Sequence, residues 1–155
     1  MYKILAVFFI FIAGLASAEN LQSRDGWVVL PSDKSFDILL EDLKSQIGDS
    51  PFAIVTQASP TVAAASRGIT IPNNRVIGVF NNVYAVRILD LSTAAMIEAP
   101  IRFYVTENMD STATLSYKSP TFVFGPYMDE AGQDLAAAAA ELDAAFEMIA
   151  NAAVE

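Results

Sequence analysis

The sequence predicts a single α+β domain: a mostly antiparallel sheet of about five strands, helices packed on one face, and a long C-terminal helix. Three observations carry this expectation. Apolar and polar residues alternate strictly over 101–107 and 112–117, as half-buried strands require. Apolar residues recur at helical spacing over 36–47 and 135–153. Pro, Gly and Asn punctuate the chain between these segments, and no internal repeat or linker interrupts it.

The first residues read as an address. Met1-Tyr2-Lys3 is a short basic start, Ile4 to Leu15 is unbroken apolar sequence, and Ala16-Ser17-Ala18 is a small-residue cleavage site. That order describes a secretory signal peptide over 1–18, cut after Ala18, with the folded domain over 19–155. The apolar run is well short of the ~20 residues that span a bilayer, so stable membrane insertion after cleavage is not expected. The expected location is periplasmic or secreted.

Within the domain, Gly26 to Leu30 is a short apolar strand. Ser35 offers an N-cap to a helix whose stripe is Phe36, Leu39, Leu40, Leu43 and Ile47, stopped by Gly48 and Pro51. Phe52 to Thr56 is a second strand. Ser59-Pro60 starts a short Ala-rich helix that ends at Gly68. Arg75 to Phe80 has no polar face, which suits an interior strand.

Asn81-Asn82 caps a helix carrying Tyr84, Ile88 and Leu91 on one face, and a second helical piece covers Thr93 to Glu98. The fourth strand, Ile101 to Glu107, puts Ile101, Phe103 and Val105 on one side with Arg102, Tyr104 and Thr106 on the other. The fifth, Thr112 to Tyr117, forms a hairpin with it. Residues 118–128 read as an aromatic loop fixed by Pro120 and Pro126. Leu135, Leu142, Phe146, Ile149 and Ala153 then mark the closing helix.

Composition removes several function classes. The chain has 9 basic and 18 acidic residues. Cutting away Lys3 leaves eight basic against eighteen acidic, a net charge of −10. Such a surface repels phosphate backbones and anionic bilayers, so nucleic acid is not an expected partner. Without histidine or cysteine there is no Ser-His-Asp or Cys-His arrangement, no ordinary zinc ligand set and no disulfide. No phosphate-cradling glycine loop or nucleophile elbow is present either. No metal, cofactor or catalytic residue is expected.

Taken together, SFDILLEDLKSQI, the Ala-rich helix ending at Gly68, RVIGVFNN, EAPIRFYVTE, TLSYKSPTFVFGPYM and AAAAELDAAFEMIA resemble the DUF302 family, small α+β domains of undescribed function. The resemblance runs from Ser35 to about Ala150. It implies the fold and carries no catalytic motif. The family's usual Asn-Pro pair after the third strand is Asn81-Asn82 here, and a His often found after the second strand is replaced within Thr56-Gln57-Ala58.

Four constellations are candidates for chemistry. Arg102, Tyr104 and Thr106, beside Thr114 and Ser116, form a polar sheet face on which a guanidinium and hydroxyls suit a small oxyanion. The bland readings are a solvated sheet face, half of a dimer interface, or an ion pair for Arg102. Asn81 and Asn82 at a helix start, with Arg87 one turn inside, suit an anion, or serve simply as a cap. Tyr117, Phe122, Phe124 and Tyr127 line an apolar ligand pocket or plug the core, and the plug is favoured. Asp129-Glu130 and Glu141/Asp143 lack calcium-loop spacing and read as solvated surface. The leading expectation is a non-enzymatic module that binds a small anionic or apolar ligand or another protein. An accessory enzyme or electron-transfer subunit working with a cofactor or partner is the alternative, as is a purely structural homodimer.

Overall fold

The computed structural model describes residues 20–155; the expected signal peptide lies outside them. Five strands, β1 (Trp27–Ser32), β2 (Ala53–Ala58), β3 (Asn74–Phe80), β4 (Ile101–Glu107) and β5 (Ala113–Lys118), form one sheet. Their order is β1-β5-β4-β3-β2, and every neighbouring pair is antiparallel. The α-helices are α1 (Phe36–Gly48), α2 (Thr61–Ala65), α3 (Asn82–Leu91), α4 (Pro120–Phe124) and α5 (Met128–Val154). Helices α1, α3 and α5 gather on one face of the sheet, where the core lies.

The expected helical stripes are the buried ones. Phe36, Leu39, Leu40, Leu43 and Ile47 of α1 are all buried, as are Leu135, Leu142, Phe146, Ile149 and Ala153 of α5. They meet Ile101, Phe103 and Val105 of β4 and Ala113, Leu115 and Tyr117 of β5. Phe146 stacks on Phe103 with centroids 4.5 Å apart and takes the edge of Phe52 at 5.8 Å. The interior position expected of β3 is found, between β4 and β2.

The helix ends are secured unevenly. Ser35 sits at the N-cap of α1, but its hydroxyl makes no capping bond. The C-terminus of α5 has no basic residue in its last turn. Lys34 supplies one from outside, its Nζ donating to the Ala153 carbonyl at 2.9 Å and to Asp42 Oδ2 at 2.7 Å. A cation placed there favours the negative end of the helix dipole. Near its other end α5 kinks at Gly132, whose φ of 55° lies in the left-handed region.

Three boundaries differ from the sequence expectation. The second strand runs on to Ala58, through a bulge between Ile54 and Thr56 that leaves Val55 half exposed. The piece expected over 93–98 is a 3-10 turn, Ala95–Glu98, started by Ser92 Oγ accepting from Ala95 N at 3.0 Å. The aromatic loop is helical: α4 leads through the 3-10 turn Gly125–Tyr127 into α5. Ser119 is the cause, because its hydroxyl accepts from Phe122 N at 3.3 Å and Pro120 pre-sets the first turn. Asp143 of α5 also accepts from Thr121 N at 3.0 Å and from the Thr121 hydroxyl.

Candidate functional site

Among the described residues, no helix packs across the second face of the sheet. Cross-strand register puts Arg102, Tyr104 and Thr106 of β4 there, with Thr114, Ser116 and Lys118 of β5, Trp27 of β1 and Val76 of β3. It is not the plainly solvated face that alternation alone implies. Thr114 is 2 % exposed and Ser116 0 %. Ser116 lies between the larger Val29 and Tyr104, which shade it from either side, and its hydroxyl reaches the Tyr104 carbonyl at 3.3 Å. Thr114 donates to Asn108 Oδ1 at 2.9 Å.

At the α4 end of this face is a groove of ≈360 Å³, within the size range of small-molecule sites. Its floor is Trp27, Val76, Arg102 and Tyr104, and Lys118 and Val123 form one side. It continues into a hollow of ≈580 Å³ along α4, with which it shares Glu98, Arg102, Lys118 and Val123. Arg24 sits 5.2 Å and Lys118 5.9 Å from the centre of the Trp27 ring, so cations flank its π-face.

The electrostatics run against the rest of the molecule. Among the described residues the ion pairs are Lys34–Asp42, Lys44–Glu41 and Arg87–Glu141. Arg24, Arg102 and Lys118 belong to none of them. Glu98 is the carboxylate in the groove, and its Oε1 accepts from the Tyr127 hydroxyl at 2.7 Å. That bond, with partial burial, raises the Tyr127 pKa above the usual phenol range. The arrangement can hold an anion by two cations while an aromatic and aliphatic floor takes an apolar body.

Two glycines shape the surroundings. A Cβ on Gly78 would come within 2.2 Å of Thr56 Oγ1 and 2.9 Å of Pro100 Cγ, so the close approach of those groups requires glycine. A Cβ on Gly26, which has a φ of 73°, would overlap the Phe122 ring.

The candidates named from sequence are thus sorted by position. Arg102, Tyr104 and Tyr117 border one groove, and Tyr127 reaches it through Glu98. Tyr117 belongs mainly to the core; it is 3 % exposed and lies against Phe103 and Phe146. Phe124 plugs the core at 1 % exposed, whereas Phe122 is 47 % exposed.

Asn81, Asn82 and Arg87 lie elsewhere. Asn81 caps α3, its Oδ1 accepting from Val83 N at 2.9 Å and Tyr84 N at 3.2 Å while its Nδ2 donates to the Pro51 carbonyl at 2.8 Å. Asn82 is exposed in the first turn. Arg87 is paired with Glu141 at 2.7 Å, which raises its pKa. Of the acids expected to be solvated surface, Asp129, Glu130 and Glu141 are exposed and Asp143 is partly buried; three of them also tie elements together, Glu141 to Arg87, Asp143 to Thr121, and Glu130 accepting from Ser92 Oγ at 2.5 Å. Among the described residues no group of three or more acidic side chains is placed to hold a metal ion.

Trp27, Lys118, Glu98 and Val123 were not among the sequence candidates. Lys118 continues the Thr114–Ser116 alternation, a signal lost by ending the strand at Tyr117. Trp27 lies in an apolar stretch of sequence that does not show which way it faces, and the pairing with Lys118 of β5 sets its side.

Comparison with known proteins adds the family. No curated protein matches the chain. A solved structure that does is the crystal structure of an uncharacterized conserved DUF302 protein from Bacillus stearothermophilus, 17 % identical, with a TM-score of 0.74 over 83 % of this chain and 98 % of that one. At that identity the likeness establishes the fold. The pattern of DUF302, a domain of unknown function, matches residues 28–152, and the chain belongs to the DUF302 family.

Proposed function

We propose that this protein is an exported, non-enzymatic binding module whose open sheet face holds a small organic anion with an apolar body. One observation carries the reading: Arg102 and Lys118, outside every ion pair among the described residues, share a groove with Trp27 and Tyr104 in a strongly acidic chain. Guanidinium and ammonium groups supply the charge, the aromatic floor supplies area, and Glu98 disfavours a doubly charged ligand.

Benzoate is a suitable probe. Saturable binding that weakens with added salt and is lost in Arg102→Ala, with an unchanged melting temperature, supports the reading. Equal affinity in wild type and Arg102→Ala refutes it. Export is supported by the basic start, apolar run and Ala16-Ser17-Ala18. The intact mass of protein recovered from the periplasm should begin at Glu19; a membrane-bound species retaining residues 1–18 refutes export. Among the described residues no helix is long and apolar enough to cross a membrane.

Homodimerisation is a second reading, favoured by α3. Val83 (77 % exposed), Val86 (50 %) and Leu89 (45 %) make an outward apolar stripe beside Ile97 (78 %). Such a stripe is self-complementary about a two-fold axis. Native mass spectrometry should then show a dimer that Val86→Glu converts to monomer; a wild-type monomer at micromolar concentration removes this reading.

A further inference from the structure

The groove of the open face carries charges of both signs that leave one another unpaired. Arg102, Lys118 and Glu98 line both the ≈360 Å³ groove and the ≈580 Å³ hollow that continues it. Among the described residues, Glu98 forms an ion pair with neither cation. We propose that the groove binds a free amino acid with an apolar side chain as its zwitterion, the carboxylate toward Arg102 and Lys118 and the ammonium group toward Glu98. This rests on the reading of the groove as an anion site, and it adds a second, opposite charge to the ligand.

Glu98 is held in place. It ends the 3-10 turn Ala95–Glu98, and its Oε1 accepts at 2.7 Å from the hydroxyl of Tyr127, which closes the 3-10 turn Gly125–Tyr127. Its second oxygen, Oε2, has no hydrogen-bond partner among the described residues. An ionised carboxylate accepts through both oxygens, so Oε2 remains available to a donor. The side chain that fixes Glu98 thus uses only half of its capacity.

The mixture of signs selects the ligand. A simple anion meets Arg102 and Lys118 but is opposed by Glu98, and a simple cation meets Glu98 but is opposed by the other two. Opposite charges that share a cavity without pairing are all satisfied by a ligand that carries both signs itself. The guanidinium of Arg102 presents a planar fork to a carboxylate, and Lys118 adds a point charge. An ammonium group supplies N–H donors for Oε2, a charge-assisted bond on both sides. The apolar side chain then lies on Trp27, Val76 and Tyr104, in a groove of the size that small molecules occupy.

The test is calorimetric titration of the purified protein at neutral pH and low salt with three probes that share one ring. These are L-phenylalanine, phenylpropanoate, which lacks the ammonium group, and phenethylammonium, which lacks the carboxylate. L-Phenylalanine should bind about tenfold more tightly than phenylpropanoate, and phenethylammonium most weakly. Glu98→Gln keeps an acceptor oxygen for Tyr127 and should abolish the preference for L-phenylalanine over phenylpropanoate, with a thermal melt to verify the fold. Should that variant fail to fold, the order of the three probes on the wild type decides alone. Phenylpropanoate binding as tightly as L-phenylalanine, or a preference that survives in Glu98→Gln, overturns the proposal. If benzoate and phenylpropanoate bind and L-phenylalanine does not, the zwitterion falls and the anion site stands. If none of them binds, both fall.

Discussion

The two faces of the sheet are built from the same strands and do different things. On the helix-covered face, Ile77, Phe103, Val105 and Leu115 are each 0 % exposed and meet other apolar groups. On the open face, interior positions are held by Gly78, Thr114 and Ser116, and larger residues rise around them. The covered face has one way to pack, since rings such as Phe103 and Phe146 interlock. The open face keeps a groove between Trp27 and Val123 of α4, because its strand positions there carry side chains that line the space without closing it. Stability therefore belongs to the first face, and the second keeps the groove in which binding is proposed.

Mutations can break this division, and the largest effects should come from the covered face. Phe146→Ala is expected to cost ~3–5 kcal/mol and Leu142→Ala ~2–5 kcal/mol, because each leaves a cavity against the sheet. Urea midpoints measure both. Values below those of the open-face variants would invert the comparison. On the open face, Asn108→Ala should cost ~1–3 kcal/mol, since it strips an acceptor from the buried Thr114 and a donor from Thr112.

Alkaline titration sharpens the contrast at Tyr117, which belongs to the covered side. Its folded pKa, about 12, is above the ordinary phenol value of 10.0. Between those values the unfolded chain loses the proton that the folded chain keeps, so stability falls as pH rises. The urea midpoint should drop across that window. Tyr117→Phe should flatten the drop, and an unchanged slope would contradict the assignment.

Asn81→Ala should cost ~1 kcal/mol through loss of the α3 cap. The smallest effects are expected at exposed charges. Arg102→Ala and Glu147→Ala should each move stability by less than ~0.5 kcal/mol, with only Arg102→Ala affecting benzoate. A loss of several kcal/mol at Arg102 would place a structural ion pair on the open face.

The covered face was legible in the sequence because periodicity is its physical cause. Every residue of the α1 stripe, and the alternation of β4, could be read directly, since a buried side must recur with the element's own period. The open face was legible only as polarity. Burial of Thr114 and Ser116 depends on which residues stand opposite, and strand register across β1 is a long-range property. The same limit hid Trp27 and Lys118 from the candidate site. It also concealed α4: proline and aromatic residues signal a turn, while the capping hydroxyl of Ser119 and the carboxylate of Asp143, 22 residues after Thr121, make it helical.

The sheet's two borders bear on how this chain behaves when concentrated. An outermost strand with a free row of amides and carbonyls is a template on which another chain can lengthen the sheet without limit. Here β2 ends one side with the irregularity at Ile54–Thr56, which breaks that row, and β1 ends the other with Pro31, a residue tolerated where its nitrogen faces solvent. Growth into fibres along the sheet is therefore obstructed at both ends. Concentrated solutions should scatter light as small closed particles, whichever ligands or partners the faces prove to hold.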